Sequence, residues 1–433
     1  MQIVIAGGGP VGVFTALSLA RHGHDVVVVD RDPGPPPQGP WSRAGVMQFL
    51  HPHGYRAAVR HALRAELPDV YDALLAAGAE VRPMPGLPEA MFGLWCRRSL
   101  FERTLRLAAE REPRLRWVTG HVDRLVVDHG TARGVVVDGT LLRADVTVVA
   151  TGRASRLGDE LRGEVEGGAC GFAYLSRMYQ ARSGQPGCEL VAPQYTTGPG
   201  YYSLVLPQDA GTHSVLLCYP SNAAEFTALR TNAGFDRAVA AIPSLAPYAD
   251  DARFAPITDV LVGGNLTNTY RLQGPALGRP PAHGLFFVGD AVATLNPAAG
   301  RYLGLALPHA QQLIVALDEP DADLDAASQR LDDWAEAHIR PWFEDHVEWD
   351  ASLLRRFMGE DLDLAEHIPS DVICAAAAVD PSLMPLVGPY LGMLAPPTTL
   401  NAAQDRVRAL LAQGWRPPVG GPTAADITAL VSA

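Results

Sequence analysis

Residues 1–32, MQIVIAGGGPVGVFTALSLARHGHDVVVVDRD, decide the fold. They read as a buried strand over Ile3 to Ala6, a glycine turn, an amphipathic helix from Pro10 to Arg21, and a second buried strand from Val26 to Val29 that ends in Asp30. An apolar run, a helical period and another valine run follow the order of a strand–helix–strand unit. Gly7 permits the tight turn off the strand, Gly9 lets the backbone approach a pyrophosphate, and Gly12 lets the helix pack closely on the sheet. The helix N-terminus aims its unpaired N–H groups at such phosphates. Asp30 falls where a carboxylate accepts hydrogen bonds from an adenosine ribose. Strand, turn, helix and acid agree, so the stretch predicts half of a dinucleotide-binding fold.

The chain has 433 residues, enough for two or three substructures and a large core. Its formal charge of -12, with no basic run, gives no footprint for nucleic acid or an anionic membrane. All 35 basic residues are arginine, which rules out Schiff-base lysine chemistry and a P-loop lysine. Cys96, Cys170, Cys188, Cys218 and Cys374 are odd in number and contain no CxxC pair. They predict free thiols in a reducing cytoplasm and no metal site. No basic leader precedes the first strand, and the apolar stretch from Leu285 to Leu317 is broken by Asp290, Asn296, Pro297 and Arg301. An unprocessed chain without an integral membrane segment is expected.

After Asp30, the proline- and glycine-rich RDPGPPPQGPWSRAGVMQFLHPHG predicts a long functional loop. Helical patterns follow over Tyr55 to Ala77 and Leu100 to Arg111, then a run of strands closed by Val146 to Ala150. From about Gly167 to Tyr270 the texture becomes β segments rich in aromatics, with a helix from Glu225 to Ala241. The strand in HGLFFVGDAVATLNPAAGRYLGLAL ends in Gly289 and Asp290 and is expected to rejoin the first sheet. The expected α/β architecture has a Rossmann-like nucleotide-binding unit from residues 1–165 and 271–325, an inserted mainly β substrate unit at 166–270, and a helical region at 326–433.

Three motifs resemble the FAD-containing monooxygenases typified by para-hydroxybenzoate hydroxylase, closest in texture to natural-product hydroxylases and epoxidases. They are GGGPVGVFTALSLARHGHDVVVVDRD, CRRSLFERTL and GLFFVGDAVATLNPAAGRYLGLAL, which together frame about the first 320 residues. The resemblance implies an FAD-binding fold of the glutathione-reductase type. It places Gly7, Gly9 and Gly12 at the pyrophosphate, Asp30 at the ribose, Arg98 at the phosphates or ribityl chain, and Asp290 at the ribityl chain or pyrophosphate. Pro297 to Gly300 would lie beside the isoalloxazine ring, with Arg31, Val122 and Gly289 as further FAD contacts. Arg43 is a further FAD or active-site contact; for Arg43 and Arg98 alike, a solvated surface position is the other reading.

Two departures stand out. ATGRAS carries Thr151 before Gly152 where the hydroxylases usually have Asp-Gly, a version resembling flavin reductases and halogenases that bears on direct use of NAD(P)H. Tyr302 stands where many relatives have glycine, bringing a bulky ring toward the flavin. Halogenation of the tryptophan-halogenase kind is disfavoured, because its lysine and its Trp-x-Trp-x-Ile-Pro stretch are both missing.

The implied reaction is insertion of one oxygen atom from O2 into a hydrophobic or aromatic small molecule of secondary metabolism through a flavin C4a-hydroperoxide. Electrons would come from NAD(P)H or from a separate flavin reductase. An FAD-dependent dehydrogenase or reductase, or a redox-neutral flavoprotein, is the alternative. Phe172, Tyr174, Tyr179, Tyr201, Tyr202 and Tyr302 are candidates for the substrate wall, with packing of the sheet as the other reading for each ring. In HPHG the intervening proline extends the backbone, so His51 and His53 are candidates for a base or hydrogen-bond donor. His309 reads as a packing or capping residue.

Overall fold

The computed structural model describes residues 1–433 except 44, 85, 274–281 and 433. In chain order its first elements are β1 (Gln2–Ala6), α1 (Pro10–Arg21), β2 (Asp25–Asp30), α2 (Ala57–Glu66), α3 (Pro68–Ala76) and α4 (Arg98–Ala109). Then come β3 (Leu115–Thr119), β4 (Val122–Asp128), β5 (Thr131–Val137), β6 (Thr140–Arg143), β7 (Val146–Val149) and β8 (Glu166–Ala169). The middle of the chain forms β9 (Phe172–Ala181), β10 (Gln194–Gly198), β11 (Tyr201–Pro207), β12 (Thr212–Pro220) and α5 (Asn232–Ala241). It continues through β13 (Phe254–Pro256), β14 (Leu261–Gly263), β15 (Thr267–Tyr270), β16 (Leu285–Phe287) and β17 (Ala293–Thr294). Helices complete the chain: α6 (Tyr302–Asp318), α7 (Leu324–His338), α8 (Arg340–Phe357), α9 (Ser370–Ala376), α10 (Met384–Leu391), α11 (Gln404–Ala412) and α12 (Ala424–Ser432).

A parallel sheet in the order β16-β7-β1-β2-β3 carries the nucleotide-binding unit, and its central strands are valine- and isoleucine-rich because helices or a hairpin sheet cover both faces. β16 pairs with β7, so the chain does return to the first sheet after the aromatic-rich region. The expected amphipathic α1 is instead buried on every side from Pro10 to Ala20, because β1, α4 and α6 surround it. The helical pattern from Tyr55 to Ala77 is split at Leu67, where Pro68 lacks the N–H that would continue the first helix. Likewise, the expected helix from Glu225 begins as a tight 3-10 segment, and α5 starts only at Asn232, where Thr231 accepts a hydrogen bond from the Gly234 N–H.

The second sheet is antiparallel, in the order β10-β11-β12-β9-β13, with β14 also on β9. Side chains alternate across a strand, so Phe172, Tyr174 and Ser176 share one face with Tyr202, Leu204 and Leu206, while Tyr179 and Tyr201 point to the other. The second face is closed by α5 and α12 in a core that contains both tyrosines, Phe235 and Ile427. Smaller sheets, β17-β15-β8 and β4-β5-β6, pack against the C-terminal helices and the parallel sheet respectively. No helix among the described residues is long and apolar enough to cross a membrane.

Candidate active site

The site begins at the turn between β1 and α1. Gly7 has φ of +110°, and a Cβ there would lie 2.3 Å from the Ala150 carbonyl oxygen; one on Gly12 would lie 2.0 Å from the Gly7 carbonyl oxygen. Only glycine lets the turn and helix close on the sheet this tightly. Gly9 caps α1 with no side chain and no acid follows in the first turn, so the helix offers bare N–H groups to an anion.

Asp30 ends β2 with its carboxylate accepting N–H groups from Gly8 at 2.6 Å and Asp32 at 2.8 Å. Arg43 is buried across the same carboxylate at 2.9 Å and bonds Glu102 at 2.7 Å. Burial opposes the Arg43 charge, but Glu102 and Asp30 more than offset it, so the group stays protonated. Glu102 takes Arg98 on its other oxygen, so one carboxylate on α4 joins both candidate arginines. The sequence reading missed Glu102; its signal was the four-residue spacing from Arg98 on one helix face.

Two cavities meet at Pro10, the first residue of α1. The smaller, of about 250 Å³, is bounded by Gly9, Asp32, Arg43, Arg106 and Trp117. The Arg106 guanidinium lies 3.2 Å from the centre of the Trp117 ring. The larger is a cleft enclosing about 1160 Å³ between the two sheets, lined by Arg98, Asp290, Tyr302 and the Pro297–Gly300 turn on one side and by His51, Tyr174, Leu204 and Leu206 on the other. Burial pushes the Asp290 carboxyl up to about 6, against Arg98 and Arg153, which lower it. The Tyr302 hydroxyl accepts the Asp290 N–H at 3.2 Å, so the ring fills space that glycine would leave beside this acid.

Gly300 closes the turn in the left-handed region, with φ of +63°. Asn296 Oδ1 accepts the Ala298 N–H at 3.2 Å, and Arg56 and Tyr195 hold the Ala299 and Ala298 carbonyls at 2.6 and 3.0 Å. On the opposite wall, His51 Nδ1 is 2.7 Å from Ser176 Oγ and His53 Nδ1 is 2.8 Å from the His51 carbonyl oxygen. Burial pushes His51 down to about 4 and His53 down to about 3, where Arg98 adds to the effect. Both are neutral near pH 7.

The structure therefore gathers His51, His53, Arg98, Tyr174, Asp290, Pro297, Gly300 and Tyr302 around one cleft, and Gly9 and Arg43 around the adjoining cavity. Other expected residues lie elsewhere. Tyr179 and Tyr201 face the opposite side of their sheet, because their odd positions invert them relative to Tyr174 and Tyr202. Phe172 and Tyr202 share the cleft-side face but sit in a packed layer with Cys218 and Leu353, outside the lining. Val122 lies in β4, packed toward Val4 and Val29, and Arg31 is exposed; neither lines these two cavities. Gly289 contacts Tyr302 from behind: a Cβ there would lie 2.8 Å from the tyrosine oxygen. His309 is buried on α6 beside Trp334.

The residues fit FAD. Arg106 Nη1 and Trp117 Nε1 at one end, and Tyr55 Oη and Trp95 Nε1 in the cleft, are buried polar atoms without a hydrogen-bond partner among the described residues. Such atoms call for a polar occupant along a path that crosses a bare helix N-terminus.

A parallel sheet with this turn and an added antiparallel sheet define a mixed α/β FAD-binding fold. Residues 2–125 match the family described as FAD dependent oxidoreductase. A D-amino acid dehydrogenase of Rhizobium johnstonii (strain DSM 114642 / LMG 32736 / 3841) is 47% identical over 49 residues, which are 11% of this chain and 12% of that protein. The chain thus aligns with about an eighth of the length of such curated relatives. Among solved structures, the flavin-dependent brominase Bmp2 is similar with a TM-score of 0.66 at 14% identity, covering 96% of this chain and 99% of its own. The structure described as "pqsL, a probable FAD-dependent monooxygenase from Pseudomonas aeruginosa" gives a TM-score of 0.62 at 19% identity, covering 83% and 98%. These likenesses are of fold, which hosts different chemistries.

Proposed function

We propose that the protein is an FAD-dependent monooxygenase that inserts one oxygen atom from O2 into a hydrophobic or aromatic small molecule, with electrons from NAD(P)H or a separate flavin reductase. A role in secondary metabolism in the cytoplasm belongs to the same reading. The observation that carries it is the large, mostly apolar cleft opening on the Pro297–Gly300 turn, walled by neutral histidines and sharing Pro10 with the cavity at the α1 N-terminus. Bound FAD would supply the redox chemistry and the activation of oxygen.

The chain's own residues bind, orient and keep water out. The N–H groups at the start of α1 and Arg98 would take the pyrophosphate, Asp30 and Arg43 the adenosine end, and Asp290 the ribityl hydroxyls. Tyr174, Leu204 and Leu206 would press the substrate toward the turn and exclude water from it. In the tautomer that donates an Nδ1 proton to Ser176 Oγ, 2.7 Å away, neutral His51 would keep Nε2 as an acceptor for a substrate hydroxyl proton.

The test needs no substrate. The flavin-loaded protein is reduced with dithionite without oxygen, mixed rapidly with oxygenated buffer and followed by absorbance. A transient unlike both oxidised and reduced flavin supports oxygen activation, and incorporation of oxygen-18 into a product completes the case. Slow reoxidation without a transient moves the reading to a dehydrogenase or a redox-neutral flavoprotein, and a protein with no affinity for flavin overturns it.

A further inference from the structure

Tyr195 spans the larger cleft from one wall to the other. It stands second in β10, directly opposite Leu204 of β11 in the sheet register. Residues paired across a ladder share a face, so its ring leaves the sheet on the cleft side, beside the lining residue Leu204. Its hydroxyl donates to the Ala298 carbonyl oxygen, in the turn on the far wall, at 3.0 Å.

The surroundings of this contact suit a door better than a pillar. Tyr195 is the most exposed residue of the cleft lining, at 43%, so its ring stands where the cleft meets solvent. β10 is an edge strand, with β11 on one side and no strand on the other among the described residues, which leaves the ring room to turn outward. The neighbouring Gln194 is tied at both ends of its amide, donating to the Ser244 carbonyl at 3.0 Å and accepting the Tyr248 hydroxyl at 3.0 Å. With the chain pinned there, the freedom left to Tyr195 is rotation about its own side-chain bonds. The turn keeps other holds when the tyrosine lets go, since Arg56 grips the Ala299 carbonyl at 2.6 Å and Asn296 the Ala298 N–H at 3.2 Å. A neutral hydrogen bond that water can replace shifts an equilibrium by only about fivefold. The door is therefore shut most of the time and opens readily, because exposed side chains change rotamer on fast timescales.

We propose that Tyr195 gates the cleft: its ring turns outward past the sheet edge to pass a flat hydrophobic molecule, and its hydroxyl re-seats on the Ala298 carbonyl behind it. The inference rests on the reading of the cleft as the small-molecule site, and it adds the route by which that molecule enters and leaves.

Stopped-flow mixing of the flavin-loaded protein with 2-naphthol, followed by the perturbation of flavin absorbance, tests it without turnover or oxygen. Tyr195→Phe keeps the ring and loses the bond. A gate that closes over the cleft whether or not it is occupied slows entry and exit by the same factor. Association and dissociation rate constants should therefore both rise about fivefold, with Kd and flavin content unchanged. Tyr195→Ala, which removes the ring, should be at least as fast in both directions. Rate constants equal to wild type in both variants overturn the proposal. A change in Kd carried by dissociation alone overturns it by making Tyr195 a ligand contact, and loss of flavin from Tyr195→Phe does so by making it a brace of the turn. No perturbation by 2-naphthol in any of the three proteins overturns the gate together with the ring-binding cleft, whereas binding at gate-independent rates removes the gate alone. Oxygen activation is measured separately, so the monooxygenase reading stands or falls apart from this result.

Discussion

The Asp350 carboxylate on α8 holds the side-chain amide of Asn296 at 3.1 Å, while the other end of that amide accepts the Ala298 N–H at 3.2 Å. Asn268 joins the same carboxylate at 2.8 Å and accepts the Asn296 backbone N–H at 2.7 Å. A buried acid from the helical region therefore braces the turn that opens on the cleft.

Burial pushes Asp350 up to about 7 from 3.8, although Asn268, Asn296 and Arg301 pull it down. The unfolded chain releases this proton near pH 4 and the folded chain keeps it until about pH 7, so stability falls as pH rises through that window and levels off above it. The full effect is on the order of 4 kcal/mol. Asp350→Asn should remove this slope, gaining in Tm relative to the wild-type protein between pH 5 and pH 8. Parallel melting curves for the two proteins across that range would contradict the assignment.

The paired histidines carry the opposite slope. His51 and His53 are held down at about 4 and about 3, against 6.5 for an unburied imidazole. Below about pH 6.5 the unfolded chain takes up protons that the folded chain refuses, so stability declines with acid by up to about 1.4 kcal/mol per pH unit for each group. Urea unfolding of His53→Gln at pH 7 and pH 5 should show a smaller loss than the wild-type protein.

Alternation along the antiparallel sheet separates two tyrosines that the sequence reading grouped. Tyr179 stacks on His213 at 5.6 Å and its hydroxyl reaches Asp236 at 3.2 Å, within the core beneath α5. Tyr179→Ala should cost about 3–5 kcal/mol of stability with flavin binding intact. Tyr174 lines the cleft instead, so Tyr174→Ala should widen the cleft and leave this core undisturbed.

Asp290→Ala should release flavin while leaving the fold intact. The apoprotein gains from the change, because the buried carboxyl is already held up at about 6 by desolvation. Its melting temperature without FAD should therefore not fall, whereas FAD affinity should drop about tenfold or more, the usual scale for hydrogen bonds to a charged group. Unchanged flavin occupancy would move Asp290 out of the cofactor site.

The nucleotide-binding unit was legible because its information is local: Gly7, Gly12, α1 and Asp30 lie within 30 residues, and each residue type has a steric or electrostatic reason to be there. The return of β16 was legible for the same reason, as a short apolar strand ending in Gly289 and Asp290. What was not legible depends on distant partners. Asp350 reaches Asn296 across 54 positions, and Arg43 meets Glu102 across 59, with no periodicity to announce either pair. The parity of Tyr174 and Tyr179 was present in the sequence, but which face of the strand met the cleft depended on α5 and α12 covering the other. All-round burial of α1 was hidden in the same way, since α6 reaches it from far along the chain.

The helix Ala424–Ser432 supplies Ile427 to the core under the antiparallel sheet, and the Gly420 N–H bonds the Thr197 carbonyl at 2.9 Å nearby. A ribosome would therefore extrude strands β9 to β12 some 200 residues before the segment that seals their outer side. During synthesis α5 reaches that greasy surface soon after the strands, but the α12 clasp comes only much later in the chain. Contacts between such remote parts of a chain slow folding, so limited proteolysis around residues 417–422 would be expected to loosen the sheet's outer side before it disturbs the parallel sheet.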